Sequence, residues 1–125
     1  MATWDDVQRI ALALPETSED RGTWRVRGKG FVWERPLRKN DLEALGDAAP
    51  TGPILGARLA DEGEKFALIE HNRDVYFSTP HFNGYPAILV RLDNIEVGEL
   101  AEVITDAWLV QAPKRVVKAF LEQQA

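Results

Sequence analysis

The sequence contains no cysteine. Disulfides, a thiolate nucleophile and cysteine-based zinc or iron–sulfur sites are therefore excluded. No run approaches the roughly 20 apolar residues that a membrane helix needs. Met1 to Asp6 show no basic stretch leading into an apolar one, so no cleaved signal peptide is expected. A cytoplasmic location without membrane contact is the resulting expectation. Serine is scarce: Ser18 and Ser78 are the only two, and neither sits in a nucleophile-elbow pattern, which argues against a hydrolytic triad. His71 and His81 are the only histidines, and they lack metalloprotease spacing. Glu70 beside His71 faces another way on its helix, so no metal site is expected. Gly28-Lys29-Gly30 precedes no helix, and Gly52-Pro53-Ile54-Leu55-Gly56 has no lysine where a phosphate loop needs one. No cofactor is expected. Excess positive charge is missing too. Lys and Arg number 15 against 20 Asp and Glu, for a net charge of -5. That excludes a generally basic nucleic-acid coat and leaves room for a local basic patch.

What is present suits a soluble globular chain. Of 125 residues, 45% are hydrophobic and 28% charged, so residues 1–125 read as one domain with a core of its own. There is no internal repeat and no low-complexity run. Gly46 to Pro53 reads as a loop within that domain.

Periodicity gives the elements. Thr3 and Asp6 form a capping box before a helical stripe of Trp4, Val7, Ile10, Ala11 and Leu14, which Pro15 stops. Glu16 to Gly22 reads as a loop. Residues 23 to 35 alternate as a hairpin with Gly28-Lys29 at its turn. This register sets Val26 opposite Phe31 and Trp24 opposite Trp33, buries both tryptophans on one face and turns Arg25 and Arg27 outward. A short helix from Lys39 or Asn40 carries Leu42 and Leu45 and ends at Gly46. Ile54 to Ala60 reads as a strand, and Asp61 with Glu64 opens a helix. Val75 to Thr79 and Ala87 to Leu92 are two more strands. The loop between them holds two prolines and Asn83-Gly84, so its tip is irregular. A long helix from Ile95 carries Leu100, Ile104, Ala107 and Trp108, and Pro113 separates it from a last helix. The expected class is α+β: a two-layer, mostly antiparallel five-stranded sheet covered by helices.

Three segments together resemble a known family. They are Phe31-Val32-Trp33-Glu34-Arg35-Pro36, the run from Thr79 to Pro86, and Ala107-Trp108 followed by Ala112-Pro113-Lys114-Arg115. The chain is similar in these to the MmcQ/YjbR family of small bacterial proteins, and the likeness runs from Thr3 to Phe120. It implies a two-layer α+β fold like that of secretion chaperones, and the description "DNA-binding" that such proteins often carry. It brings no catalytic residues with it.

Charge is segregated along the chain. Residues 21 to 39 hold Arg21, Arg25, Arg27, Lys29, Arg35, Arg38 and Lys39 against the single acid Glu34. A basic hairpin can lie along phosphates, and the interleaved Trp24, Phe31 and Trp33 can stack on bases. The alternative is a solvated outer face whose aromatics point to the core. Lys114 and Arg115 stand in the first turn of the last helix, where free N–H groups help to hold an anion. The alternative there is pairing with Glu102, Asp106 or Glu122. His81, Asn83 and Tyr85, with Trp108, are candidates to line a small-ligand pocket; the alternative for His81 is a packed turn residue.

No catalytic constellation emerges, so a non-enzymatic binding domain is expected. Its leading function is weak, sequence-indifferent DNA binding through Arg25, Arg27, Lys29, Arg35, Arg38, Lys39, Lys114 and Arg115. The alternatives are a protein- or peptide-binding module and a small-ligand pocket near His81. A monomer is expected.

Overall fold

The computed structural model describes residues 1–124. Helix α1 spans Trp4–Leu12, and its start carries the expected capping box: Thr3 accepts from the Asp6 N–H while Asp6 accepts from the Thr3 N–H. Strands β1 (Thr17–Asp20), β2 (Thr23–Val26) and β3 (Lys29–Glu34) follow, then α2 (Lys39–Leu45), β4 (Ile54–Arg58) and α3 (Glu62–His71). The chain continues through β5 (Tyr76–Phe77) and β6 (Ala87–Arg91) to α4 (Val97–Gln111) and α5 (Lys114–Gln124). The six strands form one sheet in the order β1-β2-β3-β4-β6-β5, antiparallel throughout.

The α+β class holds, with six strands in place of the expected five. The added strand is β1, within the segment expected to be a loop. Thr17-Ser18-Glu19-Asp20 has no apolar alternation because both of its faces are largely wet. It is a strand because β2 offers it an open edge. Arg21-Gly22 closes that hairpin and Arg27-Gly28 closes the next, each with positive φ at both positions. Two-residue turns of this kind match the right-handed twist of the flanking strands, and they favour glycine at the second position.

The turn at Arg27-Gly28, rather than Gly28-Lys29, corrects the expected register. Val26 faces Lys29, Phe31 is the extra residue of a bulge, and beyond it Trp24 faces Val32 while Thr23 faces Trp33. A shift of one residue moves a side chain to the opposite face of a sheet. Trp24 therefore enters the helix-covered core, whereas Trp33 lies on the other face.

The two faces are unequal. The first lies under α1, α4 and α5 and holds Val7, Trp24, Val26, Phe31, Leu55, Ile88, Ile104 and Trp108 among its buried residues. Trp24 stacks on Trp4 with ring centroids 6.3 Å apart and donates its indole N–H to Gln8. Trp108 donates its own to the Pro15 carbonyl, and its ring meets Phe120 edge-on at 4.9 Å. The second face has a smaller cluster, Ile54, Phe77, Phe82, Ala87 and Leu89, with Trp33, Leu37 and Leu45 packed on it. Its cover is α2 and the 80–82 turn. Gly56 makes room for Trp33: a methyl group there would sit 2.4 Å from the indole.

This division predicts unequal costs. Trp24→Ala is expected to destabilise by about 3–5 kcal/mol. Trp33→Ala, with a half-buried ring, is expected to lose about half of that or less and to keep the fold. Urea unfolding of both variants beside the wild type makes the comparison, and equal losses would contradict the separation of faces.

Candidate functional site

On the second face the end of β3 approaches the loop between β5 and β6. Residues 33 to 38 and 81 to 85 enclose a cleft of about 410 Å³, lined by Trp33, Arg35, Arg38, His81, Phe82 and Tyr85.

Its floor is an ion pair. Arg35 and Asp41 are 5% and 3% exposed. Arg35 Nη2 lies 2.9 Å from Asp41 Oδ2, and Nη1 donates to the Pro36 carbonyl. The same carboxylate oxygen accepts from the Arg38 N–H at 2.9 Å, which starts α2. Burial pushes the Asp41 carboxyl upward, but the Arg38 N–H and the Arg35 guanidinium outweigh it and leave it below its ordinary value. The Arg35 guanidinium lies 5.3 Å from the centre of the Phe82 ring. Buried Lys65 holds the same turn from α3 by donating to the Phe82 carbonyl at 2.7 Å, with Glu62 3.2 Å away to balance its charge.

The walls are mostly aromatic and cationic, with the exposed acid Glu34 also lining the cleft. The His81 ring meets Phe82 edge-on at 4.9 Å, and Phe82 lies 6.3 Å from Tyr85. Arg58 reaches up from β4, with its guanidinium 5.2 Å from the Tyr85 ring. Its Nε is buried without a hydrogen-bond partner. Arg25 follows Trp24 in β2, so alternation puts it on this face too, and it is half-buried. Rings and guanidinium groups set together in this way can stack on a planar group and hold an anion.

A family model described as YjbR matches residues 12–110, from the end of α1 to the end of α4. The chain belongs to the YjbR family. Among its relatives are the uncharacterized protein Mb2600 of Mycobacterium bovis and the uncharacterized protein Rv2570 of Mycobacterium tuberculosis. Each is 60% identical to this chain over 125 residues, covering 97% of both chains. The crystal structure of Deinococcus radiodurans protein DR2400, of domain family DUF419, superposes with a TM-score of 0.67 at 17% identity. That match covers 98% of this chain and 88% of the other, and it shows a shared fold.

Within this YjbR domain the expected site residues separate. Arg38, His81 and Tyr85 come together in the cleft. Asn83 is exposed on the loop and does not line it. Trp108 is fully buried on the opposite face, so the expected neighbourhood of His81 and Trp108 is wrong: the sheet lies between them. Trp33 takes its place. Arg35 is buried and paired with Asp41 rather than exposed on the hairpin. The hairpin is also less basic in space than in sequence, because β1 and the residue before it lay Glu19, Asp20 and Glu16 beside it. Arg27 pairs with Glu16 at 2.7 Å. Residues 16 to 41 carry seven cations and five acids. Lys29 and Lys39 are exposed. Lys114 and Arg115 are exposed at the start of α5, near the hairpin end of the sheet, where Gln111 of α4 donates to the Gly30 carbonyl. Arg58 was missed, although alternation from Ile54 through Gly56 places it on the second face.

The ion pair has a pH signature. Asp41 binds its proton more weakly folded than unfolded. Its contribution is therefore complete above its ordinary value of 3.8 and is lost as the pH falls below that. Asp41→Asn is expected to cost about 3–5 kcal/mol at neutral pH, since it leaves Arg35 buried and unpaired. The gap from wild type should narrow on acidification below pH 3.8. Denaturant midpoints across the acid range check both statements.

Proposed function

We propose that this YjbR domain binds single-stranded nucleic acid, weakly and without base-sequence preference, across the second face of its sheet. The observation that carries this reading is the convergence of Trp33, His81 and Tyr85 with Arg38 at one cleft on the sheet face that the large helices leave open, with Arg58 beside it against the Tyr85 ring. Stacking is indifferent to sequence because every base has a π-face, and guanidinium groups beside it hold the phosphates. The volume, about 410 Å³, lies in the range of sites for small molecules, so it suits one nucleotide at a time, with Arg25 serving the backbone beyond. A duplex laid along the hairpin is disfavoured, because Glu16, Glu19 and Asp20 line that strand's neighbour.

The net charge of -5 repels a polyanion everywhere else. Dissociation constants of about 10⁻⁴ to 10⁻⁶ M are therefore expected. With about three phosphates held by Arg25, Arg38 and Arg58, the log–log salt slope for a single strand should be roughly -2. Trp33→Ala should weaken binding by about 1–3 kcal/mol. Arg38→Glu should flatten the salt slope, whereas Lys29→Glu at the hairpin tip should change little. Anisotropy titrations with labelled single- and double-stranded oligonucleotides at several salt concentrations provide the test. Absence of binding at low salt overturns the proposal. A mononucleotide that binds as tightly as an oligonucleotide would make the cleft a small-ligand pocket instead.

A further inference from the structure

The outer side of α4 carries a feature that the cleft does not use. Leu109 and Val110 lie between two shallow apolar grooves and line both. One groove, of about 420 Å³, runs between α3 and α4 past Leu68 and Val103, with Glu64 and Asp106 at its rim. The other, of about 610 Å³, runs between α4 and α5 past Val117 and Leu121, with Lys114 and Lys118 at its rim. Leu121 is 52% exposed. Each rim also holds one charge of the other sign. Arg58 borders the first groove but is engaged with Tyr85, and Glu122 borders the second.

Among the described residues, Glu64, Asp106, Lys114 and Lys118 take part in no ion pair. Burial, then the nearby Glu64 and Glu102, hold the Asp106 carboxyl above its ordinary value, as an acid cluster short of a cation would.

We propose that this face is an isologous dimer interface. A second copy of the chain docks α4 against α4 about a two-fold axis at Leu109 and Val110, so that Lys114 and Lys118 of each copy meet Glu64 and Asp106 of the other. A two-fold contact uses one patch twice, so the patch must complement itself when reversed. This one does, with an apolar centre, acids on one side and lysines on the other. Along the chain Asp106 precedes Leu109–Val110 on α4, and Lys114 follows them at the start of α5. An apolar centre inside a charged rim is the usual anatomy of a protein interface. A foreign partner would need both signs in the same mirrored arrangement, which a second copy supplies without further assumption.

The test is analytical ultracentrifugation of the full chain over a wide concentration range at low and high salt. The wild type should form dimers that weaken as salt rises. Val110→Glu should abolish them. Asp106→Lys and Lys118→Asp, both at exposed positions, should each raise the dimer dissociation constant by roughly tenfold or more. Mixed in equal amounts they should form a heterodimer, because each then meets the opposite charge. Circular dichroism shows that the variants remain folded. A wild type that stays monomeric at the highest concentration overturns the proposal. So does a dimer indifferent to the charge reversals, or a mixture that fails to restore association.

Discussion

Arg35 and Asp41 are costly to bury singly, and they are buried together. The pair ties two neighbouring segments to one that is distant in sequence. Arg35 ends the β3 segment. Asp41 stands in the first turn of α2 and accepts the N–H that starts that helix. Phe82, from the loop between β5 and β6, lies beside the Arg35 guanidinium. Lys65 reaches the same loop from α3. Asp41 is the buried residue of α2 and Phe82 that of the 80–82 turn, so this fastening lies at the base of the cleft.

The imbalance between the two sheet faces explains where a binding surface can lie. α4 and α1 cover the first face with a continuous core that includes Trp24, Phe31, Leu55 and Trp108. The second face has a small core and leaves Trp33, Arg38, His81 and Tyr85 within reach of a ligand. Stability is concentrated on one side, and exposed chemistry on the other. The outer side of α4 is a third surface, apolar at its middle and charged at its ends, and its proposed use does not depend on the cleft.

Charge behaves differently in the fold than along the chain. Seven cations within residues 21 to 39 suggest a basic wing. Folding brings β1 alongside with Glu16, Glu19 and Asp20, pairs Arg27 with Glu16 and removes Arg35 into the interior. Meanwhile Arg58 and Arg25, separated by more than thirty positions, come to the same face. The cationic surface that remains is smaller than the sequence suggests, and Arg25 and Arg58 bring part of it onto the face with the rings.

Local sequence determined the features that depend on near neighbours. The capping box at Thr3 and Asp6, the break at Pro113, the helix from Lys39 to Gly46 and the antiparallel α+β class could be read directly. So could the gathering of His81 and Tyr85 on one irregular loop, because Pro80, Asn83, Gly84 and Pro86 constrain it locally. Other features required the tertiary structure. The register of β2 on β3 turned on which residue pair adopted positive φ and on a bulge at Phe31, and one residue of slip moved Trp33 across the sheet. β1 became a strand because an edge was open to it, not because its own residues favour one. The burial of Arg35 depended on Asp41, and Trp108 was assigned to the core by the packing of α4. A period of two or of 3.6 reveals that a residue has a face. Which face meets the core, and which charges meet each other, is decided by contacts between segments that no local pattern records.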